Sequence, residues 1–210
     1  MYEDIIGFGI LGSLLIVVPA AIYGVFYLYI LQPAKMRHER GVAVAGELGW
    51  KPVPTQGPKS WKTQYWFQSE LESESEPSRE VAFACVGVSR HRHQTSVNAR
   101  NEMHDHVRMV VELTETPHWL KGRPSFSSAP EAIRQDVQQL EQNGTVTTTI
   151  MRRSEVDPRL VPRDVLSRAE HFVLHEFKDP GDRVAIMVQE RLQLLLQIAG
   201  KVESSGVVAN

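Results

Sequence analysis

Four things are scarce in this 210-residue chain, and each scarcity removes a class of function. It has a single cysteine, Cys85, so there is no disulfide framework, no CxxC metal or redox motif and no lipid-attachment cysteine after a hydrophobic leader. One unpaired thiol fits a reducing compartment. The chain has no excess of either charge: 23 Lys and Arg face 25 Asp and Glu, and only Glu3 and Asp4 precede residue 32. A nucleic-acid-binding domain normally carries a clear basic surplus, so nucleic acid is excluded as a partner. Catalytic signatures are missing too. There is no GxSxG, no GKS/T phosphate loop, no HExxH and no CxxCH haem attachment, and no set that pairs a nucleophile with a base. The expectation is a protein that is not an enzyme and holds no cofactor. Finally, Ile5 to Leu31 contains no ionisable side chain other than tyrosine.

That last absence organises the rest. Twenty-seven residues without Asp, Glu, Lys, Arg or His would extend about 40 Å as a helix at ~1.5 Å per residue, more than the roughly 30 Å of a bilayer's hydrocarbon. A signal peptide would open on basic residues, whereas this chain opens Met1-Tyr2-Glu3-Asp4. The run is read as a transmembrane helix with no proton or ion path, since nothing in it titrates near neutrality. Glu3 and Asp4 precede it, and Lys35, Arg37 and Arg40 follow, which places the N-terminus outside and the remainder in the cytoplasm. Membrane lipid and integral-membrane protein subunits are the expected partners. Gly7 to Gly12 spells GxGxxG, but inside an apolar run it cannot be a dinucleotide turn. Gly9 and Ser13, then Ala20 and Gly24, are small residues four apart that let a neighbouring helix approach, and Pro19 is expected to kink the helix.

Pro33 should end the run, followed by a short helix over Met36 to Leu48 that stops at Gly49. Residues 33–62 then read as juxtamembrane helix and linker, 63–202 as a cytoplasmic domain and 203–210 as a flexible tail. Within the domain, strands are expected at Thr63 to Leu71, Glu80 to Val88, His106 to Thr114, Thr145 to Met151 and Glu170 to Phe177. Helices are expected from Ser128 to Asn143, over Arg163 to Arg168, and from an Asp182 cap to a stop at Gly200. The acidic tract Glu70 to Pro77 reads as a solvated loop. The fold class is α+β: one transmembrane helix, then a domain with a mostly antiparallel sheet and two or three helices.

One constellation carries possible chemistry: Arg90, His91, Arg92, His93, Arg100, His104 and His106, with Arg108 beyond. His104 and His106 share a strand face by the period of two, and Asp105 points the other way. Two imidazoles begin a metal site but fall short of the three or four ligands zinc takes. An anion-binding patch and a plain solvated loop are the other readings of the same residues. Cys85 alternates with Val81 and Phe83 and reads as a buried small hydrophobe.

Gly49-Trp50, Trp61, Phe67, the segment Val81 to Gly87, Val110-Val111 and Pro117-His118-Trp119-Leu120 together resemble the actinobacterial single-span proteins with a cytoplasmic domain. By size and layout the chain looks like the accessory subunit of the cytochrome bcc–oxidase respiratory supercomplex. That resemblance implies association with, and stabilisation of, a larger membrane complex, and no part in electron transfer. The alternative reading from the residues is a membrane-tethered domain that senses or binds an anionic ligand or acidic partner.

Overall fold

In the computed structural model the described residues are 15–53, 66–69, 81–90, 102–120, 125–142, 146–156, 167 and 169–206. The chain divides into two compact units, Met1–Met36 and Arg37–Asn210.

The first element is a helix, α1, described over Leu15–Leu48. It is long and apolar enough to cross a membrane, and none of its most apolar window is buried within the protein. Pro33 does not end it. A proline lacks the N–H for its turn and its ring crowds the carbonyl four residues back. Here a π-helical turn, Tyr27–Leu31, comes just before, with the Gln32 N–H donating to the Tyr27 carbonyl five residues back. The widened turn takes the carbonyls out of α register ahead of the ring, and the helix continues.

The second unit starts with the last turns of α1, so the domain begins at Arg37 and not at residue 63. The reason is burial: Val44, Ala45 and Trp50 are core residues, so this stretch is no linker. Helix α1 ends in a Schellman turn. Gly49 has φ +71°, the left-handed region where only a residue without a Cβ is unstrained. The Trp50 N–H then reaches the Ala45 carbonyl at 2.8 Å. This closure swings Trp50 back against Phe83, edge to face, with ring centroids 5.1 Å apart.

The strands are β1 (Lys51–Val53), β2 (Trp66–Ser69), β3 (Val81–Arg90), β4 (Glu102–Leu113), β5 (Val146–Arg152) and β6 (His171–Lys178). They form one antiparallel sheet in the order β1-β2-β3-β4-β6-β5; β3, β4, β6 and β5 make its body, and short β1 and β2 extend one edge. Helix α2 (Glu131–Glu141) and helix α3 (Val184–Ser204) lie on one face. The fold is therefore α+β with an antiparallel sheet, as expected.

Alternation decides which side chains meet. Val81, Phe83 and Cys85 of β3 and Val107, Met109, Val111 and Leu113 of β4 face the helices. Ile133, Val137 and Leu140 of α2 and Val188, Leu195, Ile198 and Val202 of α3 close over them at helical spacing. The opposite face also has a core, where Ala82, Ala84, Val86, Val110 and Phe172 pack with Val156 and Ala169. A strand buried on both sides reads as an unbroken apolar run, and residues 81–86 (VAFACV) are such a run.

Helix α3 differs from expectation at both ends. Asp182 lies in a 3-10 turn, Gly181–Arg183, and Arg183 is the N-cap, without a side-chain cap bond. At the other end the helix runs through Gly200 to Ser204. Tertiary bonds outweigh the cost of a mid-helix glycine, about 1 kcal/mol. Buried Glu203 accepts from the Thr114 backbone N–H at 2.6 Å and its hydroxyl at 2.9 Å, and Trp119 Nε1 donates to Ser205 Oγ at 2.9 Å. The tail expected from residue 203 therefore includes residues fixed in the fold; 207–210 lie outside the described residues, as does nearly all of the helix expected over Arg163 to Arg168.

Strand β5 is an outer strand of the sheet, and two of its backbone donors are occupied by carboxylates. Glu141 Oε1 accepts from Thr148 N at 2.7 Å, and Glu155 Oε2 accepts from Arg152 N at 3.1 Å.

Candidate functional site

Two ion pairs of the second unit lie side by side where the chain enters it. Two arginines one helical turn apart on α1 meet two aspartates, Asp105 on β4 and Asp179 just past the end of β6. Arg37 Nη1 lies 3.0 Å from Asp105 Oδ1, and Arg40 Nη1 lies 3.2 Å from Asp179 Oδ2. The Asp179 N–H donates to the Asp105 carbonyl at 2.9 Å, so both acids are held by one backbone link. Cys85 sits beneath these pairs. Burial pushes its thiol up to about 12, Asp179 adds to the rise, and Arg40 opposes it. A thiol in that state is no nucleophile at neutral pH.

The opposite face of the same strands carries a second cluster. Arg108 and Glu176 are direct cross-strand partners. Arg108 donates from Nε at 2.9 Å and from Nη2 at 2.6 Å, both to Glu176 Oε2. Glu176 Oε1 lies 3.0 Å from His106 Nδ1. Both carboxylate oxygens are thus spent within the sheet, which fixes the imidazole's orientation. His106 is 3% exposed, so it is withdrawn from the solvated patch in which sequence placed it. The cause is Glu176, brought alongside from a strand seventy residues away.

The other residues of that patch divide. Arg90 pairs with Glu102, and Val88 with His104, at the far end of the β3–β4 ladder. Asp105 lies on the helix face, opposite in alternation to His106 and Arg108, and forms its ion pair with Arg37. His91, Arg92, His93 and Arg100 lie outside the described residues. Lys178, opposite His106 in the register, is exposed and was not singled out by sequence. Of the small residues on α1, Gly9 and Ser13 lie outside the described residues; Ala20 is exposed, and a Cβ at Gly24 would meet nothing within 4 Å. Among the described residues no three His, Cys, Asp or Glu side chains converge to hold a metal ion.

A buried polar knot between the sheet and the helices also escaped the sequence reading. Arg191 Nη1 donates to His175 Nε2 at 2.9 Å and to the Leu140 carbonyl at 3.3 Å. Its guanidinium lies 4.5 Å from the centre of the Phe177 ring. Because His175 Nε2 accepts, its proton sits on Nδ1 and is donated to Thr148 Oγ1 at 3.1 Å. Burial, reinforced by Arg191, lowers the His175 pKa to about 3. One signal was available: Arg191 occupies a core position in the series Val184, Val188, Arg191, Leu195, Ile198, Val202. This knot ties α2, α3, β5 and β6 together and has a structural role.

Comparison of the chain with protein-family models, with curated proteins and with solved structures returned no match.

Proposed function

We propose that this chain is a single-pass membrane protein that acts by association: its apolar helix crosses the cell membrane, N-terminus outside, and its cytoplasmic α+β domain docks on larger integral-membrane subunits. A respiratory complex is the partner class that the family resemblance implies. One observation carries the reading. Leu15, Ile16, Ile22, Tyr23 and Tyr29 are each more than 60% exposed on one helix, 72%, 73%, 64%, 62% and 78%. A water-soluble protein does not leave such a surface open, and lipid or an apolar partner covers it at no cost. The topology follows from Lys35, Arg37 and Arg40 on the side of the domain.

In membranes of expressing cells the chain is expected to resist alkaline carbonate extraction, and a reporter fused after the C-terminus should behave as cytoplasmic. Export of that reporter would reverse the topology, and release by carbonate would remove the span.

The packing face is tested separately. In mild detergent the wild-type chain should elute with its large membrane partners. Gly24→Leu adds bulk where a neighbouring helix approaches, so retention of the partners should drop while membrane insertion persists. Unchanged co-purification would mean that this side of the helix faces lipid.

A further inference from the structure

We infer that the outward face of α3 is a docking surface for a second copy of this chain, with the two helices antiparallel about a twofold axis opposite Leu195. The inference concerns the folded domain alone and stands apart from the membrane reading above.

The argument starts from what α3 leaves in water. Seven positions of Val184–Ser204 are exposed, and five of them are uncharged. A face that ends at solvent is normally laced with charge, as α2 is where Arg134 pairs with Glu131. On α3 the outermost ridge is instead Ile186, Gln193, Gln197 and Ser204, in line at helical spacing, and Ile186 is 52% exposed. The two charges are one of each sign. Glu190 and Lys201 lie on one flank of the ridge, and Gln189 and half-buried Gly200 lie on the other.

These positions fit a copy of themselves. In a twofold contact each residue meets its counterpart at an equal distance beyond the axis. Gln193 and Gln197 are each two residues from Leu195, and Ile186 and Ser204 are each nine. In an antiparallel pair Gln193 therefore stands opposite Gln197 of the other copy, where two primary amides can exchange donor and acceptor. The twofold also keeps like flanks together. Glu190 lies five residues before the centre and Lys201 six after it, so their heights agree within ~1.5 Å across the axis. Each Glu190 then meets a Lys201, twice per pair. Lys201 already holds Asp136 at 2.5 Å, but its side chain is 50% exposed and an ammonium has three donors. On the other flank Gln189 falls against Gly200, whose missing side chain leaves it room. A parallel pair loses all of this, since it sets Glu190 beside Glu190 and Lys201 beside Lys201.

The contact is small. A strip about 30 Å long and ~10 Å wide falls well below the ~800 Å² that each partner buries in a standard interface. The pair is thus weak, and a covalent trap is the suitable assay.

The test co-expresses two differently tagged full-length chains, one Gln193→Cys and one Gln197→Cys, and treats the cells with the membrane-permeant oxidant diamide. A disulfide joining the two tags should outweigh either same-tag product several-fold. Cys85 adds no background, being buried with its thiol pushed up to about 12. Placing Glu190→Lys in both chains reverses two attractive pairs, so the mixed product should fall by about tenfold. All three positions are exposed, and an unaltered melting midpoint in detergent checks that the variants are folded. Same-tag products without the mixed one would make the pair parallel and overturn the inference, as would the absence of any cross-linked dimer. A cross-link from either cysteine to a different protein would give this face to another partner and overturn it equally.

Discussion

Lowering the pH from 7 towards 4 should cost this domain several kcal/mol of stability, and His175 should account for most of one protonation step. The histidine is fully buried, donates to Thr148 and accepts from Arg191, so it has no room for a second proton. Its folded pKa of about 3 lies below the unfolded value of 6.5. Between those values the unfolded chain binds a proton that the folded chain refuses. Stability is therefore intact above pH 6.5 and declines as pH falls, by up to ~1.4 kcal/mol per pH unit. Integrated to about pH 3 the loss is on the order of 4–5 kcal/mol, a large share of the roughly 5–15 kcal/mol that holds a domain together. His171, whose pKa burial also lowers, pulls in the same direction. Denaturant unfolding in detergent at a series of pH values measures the slope. A His175→Gln variant, which has no proton to gain, should be less stable at pH 7 and converge on wild type in acid. Parallel curves for the two proteins would show that this knot does not titrate as described.

Phe83→Ala should destabilise the domain by about 3–5 kcal/mol, the usual cost of emptying a buried aromatic site. Phe83 is 0% exposed near the start of β3, and it is where the sheet receives Trp50 from the end of α1. Trp50→Ala should lose a comparable amount. The double variant should lose less than the sum of the two, by the ~0.5–1.5 kcal/mol characteristic of an aromatic pair. The cycle also bears on the domain boundary. If residues 37–50 were a linker, Trp50→Ala would be almost silent in thermal unfolding, and strict additivity would mean that the two rings do not meet.

What the sequence made legible was local. The alternation of β3 and β4, the Ile133–Val137–Leu140 stripe of α2 and the glycine stop at Gly49 are each set by a few neighbouring residues. The errors came where distant residues decide. Gly200 looks like a helix end until Glu203 is seen to be anchored on Thr114, eighty-nine positions away. His106 looks like a surface imidazole until β6 delivers Glu176 beside it. Pro33 looks like a break until the π turn ahead of it relieves the clash. The site divides in the same way. The run of Arg and His was visible as composition, whereas Arg40–Asp179 and Lys178 depend on strand order, which no short stretch specifies.

The two glutamates that accept from β5 have a consequence at the scale of many copies. A domain anchored in a bilayer diffuses in two dimensions, where encounters between copies are frequent and orientations are restricted. An outer strand with open backbone donors would, under that crowding, recruit the same strand from the next copy and grow a ribbon. Glu141 on the Thr148 N–H and Glu155 on the Arg152 N–H occupy donors such a ribbon would need, and they set negative charge where the second copy would arrive. The sheet can stay open-edged without polymerising, even at the high local density that the proposed membrane anchoring would bring.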